Sequence, residues 1–196
     1  MANVDKAFGL RPLGNLSATG AQKQYAYLIE DNQSGAIYQG DLVTISGGYV
    51  VKFDAALHTV AVGVFNGCNY VNPTTGKPTW SAFYPGSVNI TSGVIQAEVL
   101  DDPNQLFLIQ ADGIVVQANI GKQADIAYAA GSATTGVSGT ELSSSSIAVD
   151  ATKVLTIVGP YSATDNVLGE ANVDVVVKIN CHLYGSAGVA NSPPAP

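Results

Sequence analysis

The clearest pattern in the chain is a strict two-residue alternation near its C-terminal end. Val173, Val175, Val177, Ile179 and Cys181 fall on one side of an extended backbone, and Asn172, Asp174, Val176, Lys178 and Asn180 on the other. Successive side chains of a strand point to opposite faces, so this run predicts a strand with one buried face. Shorter β-like runs recur from Gln24 onward: QYAYLIE, IYQGDLVTI, GGYVVKF, TVAVGVF, TWSAFY, GVIQAEVL, QLFLIQ and GIVVQA, with KVLTIVGP later. They are rich in Val, Ile, Tyr and Phe and bounded by turn chemistry such as Gly47-Gly48, Asn66-Gly67, Pro85-Gly86 and Asp112-Gly113. In TVAVGVF, Val60, Val62 and Val64 alternate with Ala61, Gly63 and Phe65, which predicts one packed face and one outward face. No amphipathic helix longer than about two turns can be drawn. The expected fold is all-β, a single compact domain whose strand spacing suits a β-sandwich, a barrel or a more open tulip-like arrangement.

Three segments break the strand rhythm. Residues 1–22 combine Gly9, Pro12, Gly14 and Gly20 with isolated apolar anchors, a pattern too interrupted for a helix and too irregular for a strand. They read either as an extended N-terminal arm that docks on a surface, its own or a neighbour's, or as a frayed terminus. As an arm, its candidate partner-binding residues are Phe8, Leu10, Arg11 and Leu13. Residues 131–146, GSATTGVSGTELSSSS, are small and polar and predict a long, exposed, flexible loop. The body is then 23–185, followed by a disordered tail over 186–196.

Composition narrows the function classes. Charged residues are 12% of the 196, about half the usual share for a soluble domain, which excludes a charge-laced helical bundle. The net charge is -7 and the eight Lys and Arg are scattered singly, so no basic patch exists to neutralise phosphates and nucleic acid is not an expected partner. No stretch approaches the roughly 18 apolar residues of a membrane span, and MANVDKAFGLRP lacks the apolar region of a signal peptide, which predicts a protein made and kept in the cytoplasm. Cys68 and Cys181 have neither redox-motif nor zinc spacing, and two free, partly buried thiols are expected.

Motifs for chemistry are missing. There is no phosphate-binding glycine loop, HExxH, GxSxG or EF-hand pattern, and no catalytic, metal or cofactor-binding residue is assigned. His58 and His182 lack acidic or thiol neighbours at metal-ligand spacing and read as turn or strand surface residues. On an alternating strand, the side chains of Cys181 and His182 point to opposite faces and cannot pair. Asp101-Asp102-Pro103-Asn104 is the densest acidic cluster, and Asx before Pro is what a type I turn selects. Tyr25, Tyr27, Tyr38, Tyr49, Tyr70, Trp80 and Tyr84 read as an aromatic-rich interface or ordinary half-buried strand positions, with a sugar-binding face as the minor alternative.

Taken in order, MANVDKAFGLRPLG, DDPNQLFLIQADG, GSATTGVSGTELSSSS and KVLTIVGPYSATDNVLGEANVDVVVKINCHLYG resemble virion structural proteins of tailed bacteriophages, of the capsid decoration or cement kind. The likeness covers nearly the whole chain. It implies a β-rich, non-enzymatic protein, a homotrimer on the outer surface of an icosahedral head, bridging neighbouring copies of the major capsid protein. A tail, baseplate or receptor- or glycan-binding fibre component is the alternative the same features fit.

Overall fold

The structure is a computed structural model and describes residues 3–16 and 22–185. The fold is all-β. Among the described residues there is no α-helix, only two single-turn 3-10 segments, Gln117–Asn119 and Ser144–Ser146. In chain order the strands are β1 (Arg11–Asn15), β2 (Gln24–Ile29), β3 (Ile37–Tyr38), β4 (Leu42–Ser46), β5 (Tyr49–Lys52), β6 (Gly63–Val71), β7 (Pro78–Ser81) and β8 (Phe83–Tyr84). They continue as β9 (Ile95–Leu100), β10 (Gln105–Gln110), β11 (Gln123–Ala124), β12 (Ile126–Ala127), β13 (Glu141–Leu142), β14 (Leu155–Pro160) and β15 (Asp174–Ile179).

Two larger antiparallel sheets carry the body. One has the order β1-β10-β15-β14-β11, the other β2-β9-β6-β4-β5 with β7 also paired to β6. Both orders are open paths, so among the described residues neither sheet closes into a barrel. The alternating C-terminal run forms β15 at the centre of the first sheet, with Val173, Val175, Val177, Ile179 and Cys181 all buried. The KVLTIVGP run forms β14 beside it, with a register shift between Ile157 and Gly159.

The two hydrophobic cores share the second sheet. Ala61 and Val64 pack into the core under the first sheet with Phe107, Ile157 and Val175. Val62 and Phe65, from the same stretch, pack into the other core with Val99, Ile37 and Tyr84. Over residues 61–65 the expected outward face is therefore absent, because a layer lies on each side; farther along β6, Asn69, Tyr70 and Val71 are only half-buried. GIVVQA also departs from expectation. Ile114 and Val116 are exposed around a buried Val115, whose carbonyl accepts the Gly169 N–H, so this segment bonds to a loop and not to a strand.

The N-terminal segment is not a free arm. Phe8 and Leu10 are buried in the chain's own body, and β1 pairs with β10, with a bulge between Pro12 and Gly14. Polar stitches hold what precedes it: the Asn3 amide donates to the Val167 and Ala171 carbonyls, and Gln110 accepts from the Lys6 N–H and donates to the Val4 carbonyl. Residues 1–2 and 17–21 of the expected arm, and the tail from 186 to 196, lie outside the described residues.

Residues 132–135 are exposed, as expected, and most of the rest of 131–146 departs from the reading as an exposed loop. The stretch crosses the body, and Ser138, Thr140 and Leu142 are buried. The reason is Asp41, whose carboxylate has no solvent exposure. The Ser138 and Thr140 hydroxyls donate to its Oδ1 at 2.6 and 3.1 Å, the Tyr38 N–H donates to Oδ2 at 2.8 Å, and Lys52 Nζ stands 3.1 Å from Oδ2. A buried carboxylate is tolerable only with such donors, so small hydroxyl residues become interior here. Gly9 lies against the same cluster at φ +68°, and a side-chain carbon there would sit 2.7 Å from Ser138 Cβ and 2.8 Å from the Gly40 carbonyl oxygen.

Asp41→Ala is expected to lower the free energy of unfolding by about 3–5 kcal/mol, because it strands buried donors and half of an ion pair. Urea denaturation reads the loss, and protease cleavage within residues 131–140 should precede cleavage elsewhere. A loss under about 1 kcal/mol would show that the carboxylate does not hold this junction together.

Candidate functional site

The four residues assigned to the arm separate into two pairs. Phe8 and Leu10 are used internally and cannot anchor a partner. Arg11 and Leu13 remain on the surface, Arg11 with its guanidinium 4.3 Å above the Phe8 ring and Leu13 at the bulge of β1. Leu16, also exposed, continues this apolar edge. Among the described residues β1 has β10 as its one strand neighbour and forms an edge of the five-stranded sheet.

The DDPN cluster forms the turn its sequence selects. The Gln105 N–H donates to the Asp102 carbonyl, and the Asn104 N–H donates to Asp102 Oδ1 at 2.8 Å. Asp101 departs from the turn. It is buried, accepts the Tyr27 hydroxyl on Oδ2 at 2.8 Å, and leaves Oδ1 without a partner among the described residues. Tyr27 also meets the Tyr184 hydroxyl at 3.4 Å, and burial with these neighbours pushes the Tyr27 phenol well above its ordinary value.

His182 lies near this group, and it is not a surface residue as expected. It is 4% exposed, because the chain turns inward after β15 and His182 forms a bridge with Ala61. Its Nδ1 accepts the Tyr184 N–H at 3.1 Å, while Nε2 has no partner among the described residues. Burial pushes its pKa down to about 4, against the upward pull of Asp101 and Asp102. His58 stays in a turn, its Nδ1 accepting the Asp54 N–H at 2.9 Å. Cys68 and Cys181 are free and buried, and burial pushes the Cys68 thiol up to about 12. A thiol that remains protonated is a poor nucleophile. Among the described residues no three His, Cys, Asp or Glu side chains gather as a metal ion requires.

The seven aromatics singled out by sequence do not share one face. Tyr84 is fully buried and donates to the Gln33 carbonyl, Tyr38 stacks on Phe83, and Tyr25 meets Tyr27 edge-on. Trp80 stands apart on the outer side of the second sheet. The pairings Trp80 with Asn69, Asn69 with Gln96, and Gln96 with Leu28 set four side chains in one row across β7, β6, β9 and β2. Beside this row runs a string of amides: Gln39 donates to Asn66, Asn66 to Gln24, Gln24 to Glu98, and Asn69 to Glu98. Sequence reasoning missed this row because it arises from strand register, although Trp80 itself was in view. No family model, curated protein or solved structure matches the chain.

Two exposed features among the described residues are the β1 edge with Leu13 and Leu16 and the Trp80 row. Titration of His182 gives a separate check on the packing beneath. Its folded pKa lies below the ordinary 6.5, so the unfolded chain binds the proton more readily. The stabilisation is complete above pH 6.5 and is lost as pH falls toward 4. The amount is up to about 3 kcal/mol. His182→Asn, which retains an acceptor for the Tyr184 N–H, should flatten the stability curve in that window when melts are compared across pH. An unchanged slope would place His182 in contact with water.

Proposed function

We propose that this protein is a virion structural protein of the decoration or cement type, which sits on the outer surface of an icosahedral head as a homotrimer and bridges neighbouring major capsid subunits. The observation that carries the reading is the open β1 edge. Among the described residues β1 pairs with β10 alone, and exposed Leu13 and Leu16 lie along it, on a segment whose earlier part is locked into the body by Phe8 and Leu10. An open strand edge takes up an extended segment of a partner through main-chain hydrogen bonds, and flanking apolar side chains give the contact its specificity.

The order of motifs along the chain supports the same reading. So does the low charge content, since a surface with few charges suits close, geometry-driven contact. The finer architecture that fits is a sandwich-like body, with the two sheets stacked through the shared core. A block that touches two shell subunits at once binds the closed shell and not separated subunits, and so stabilises the closed state by mass action. Repetition over three copies and over the lattice multiplies a modest single contact. On this reading the protein is made in the host cytoplasm and joins the head there.

Full-length protein should co-sediment with purified expanded heads lacking it and raise their melting temperature. Leu13→Asp combined with Leu16→Asp should weaken binding about tenfold or more while leaving the protein's own melting curve unchanged. Full binding by that double variant would reject the β1 edge, and heads that never retain the wild-type protein would reject the decoration role.

A further inference from the structure

We propose that the open face around Trp80 is a binding site for a neutral saccharide. Trp80, Asn69, Gln96, Val94, Val71 and Pro78 line a shallow groove of about 330 Å³ on β7, β6 and β9. The six-membered ring of the indole lies over Gly67, where a side-chain carbon would come within 2.9 Å of Cζ2. Glycine there lets the ring settle against the sheet, and the indole is still 57% exposed. A flat aromatic surface held in place on one side and open on the other matches the apolar C–H face of a sugar ring.

The polar groups fit the same ligand. A sugar hydroxyl both donates and accepts, as does a side-chain amide. Gln96 is exposed and none of its amide atoms is engaged among the described residues. Asn69 is steadied by donating to Glu98 Oε1 at 3.3 Å, which leaves its carbonyl oxygen without a partner among the described residues. No Lys, Arg, Asp or Glu lines the groove, so nothing in it would compensate a charged ligand. The Glu98 carboxylate beside Asn69 already accepts from Gln24 and Asn69. At about 330 Å³ the groove has the size of a one- or two-ring site, at the small end of the roughly 300–1,000 Å³ of small-molecule sites. This inference does not depend on the decoration role.

Trp80 is the only tryptophan in the chain, so its fluorescence reports on this groove alone. Titration of the full-length protein with cellopentaose, maltopentaose and chitopentaose should give a saturable change with at least one of them, with a dissociation constant in the micromolar to millimolar range. Gln96→Ala should weaken that binding about tenfold with the thermal melt unchanged, since its side chain is exposed. The proposal is overturned if none of the three produces saturation at millimolar concentration, or if Gln96→Ala binds like the wild type. A concentration-dependent Trp80 shift without sugar also overturns it and assigns the face to contact between copies of the chain.

Discussion

A carboxylate with no exposure cannot be left unpaired, and satisfying Asp41 brings distant parts of the chain to one place. A bare ion in the interior would cost several kcal/mol, so the fold supplies two hydroxyls, a backbone N–H and an ammonium group. The hydroxyls come from residues 138 and 140, the ammonium from the end of β5, and the N–H from Tyr38. Around this knot the backbone closes as well. The Leu10 N–H donates to the Gly40 carbonyl, Gly40 N–H to Phe65, and Ser138 N–H to Gln39. The N-terminal segment, the turn before β4 and the long Ser- and Thr-rich stretch are thus held by one junction, which explains why none of them behaves as a loose appendage.

That junction also lets one sheet serve two cores. Strands buried on both faces need a layer on each side, and β6 obtains one from the first sheet and the other from β3, β8 and the segment around Val88. Leu42 and Val43, adjacent in β4, go to opposite cores, as do Val64 and Phe65. Because each core borrows side chains from the same strands, loosening one is expected to loosen the other, which is how two sheets behave as one cooperative body.

Local regularities were legible in the sequence, and long-range ones were not. The burial of β15 follows from alternation over consecutive residues, and the Asp102 turn from Asx followed by Pro; both are decided within a few positions. Ser138 and Thr140 looked exposed because small polar residues are usually solvated, and only a carboxylate nearly a hundred positions away makes them interior. Phe8 and Leu10 were visible as anchors, yet nothing local says whose surface they dock on. The alternation in GIVVQA resembles that of a strand, yet among the described residues no strand pairs with it. For the surface, the residue types of the Trp80 row were on the page, but their common face depends on registers that no single segment contains.

Fixing the N-terminal segment changes how a contact made by this protein would be stabilised. A free arm loses backbone freedom as it docks, at about 1–2 kcal/mol per ordered residue, and this offsets much of what its anchors contribute. Here that ordering has already happened on folding: Phe8 and Leu10 contribute to the stability of the body, and β1 is held in place by β10 before any partner arrives. A preorganised edge recovers more of its gross interaction energy on binding. On the decoration reading, modest apolar contacts at Leu13 and Leu16 then suffice per copy, because the copies share one rigid lattice and each bound edge raises the effective concentration of the next.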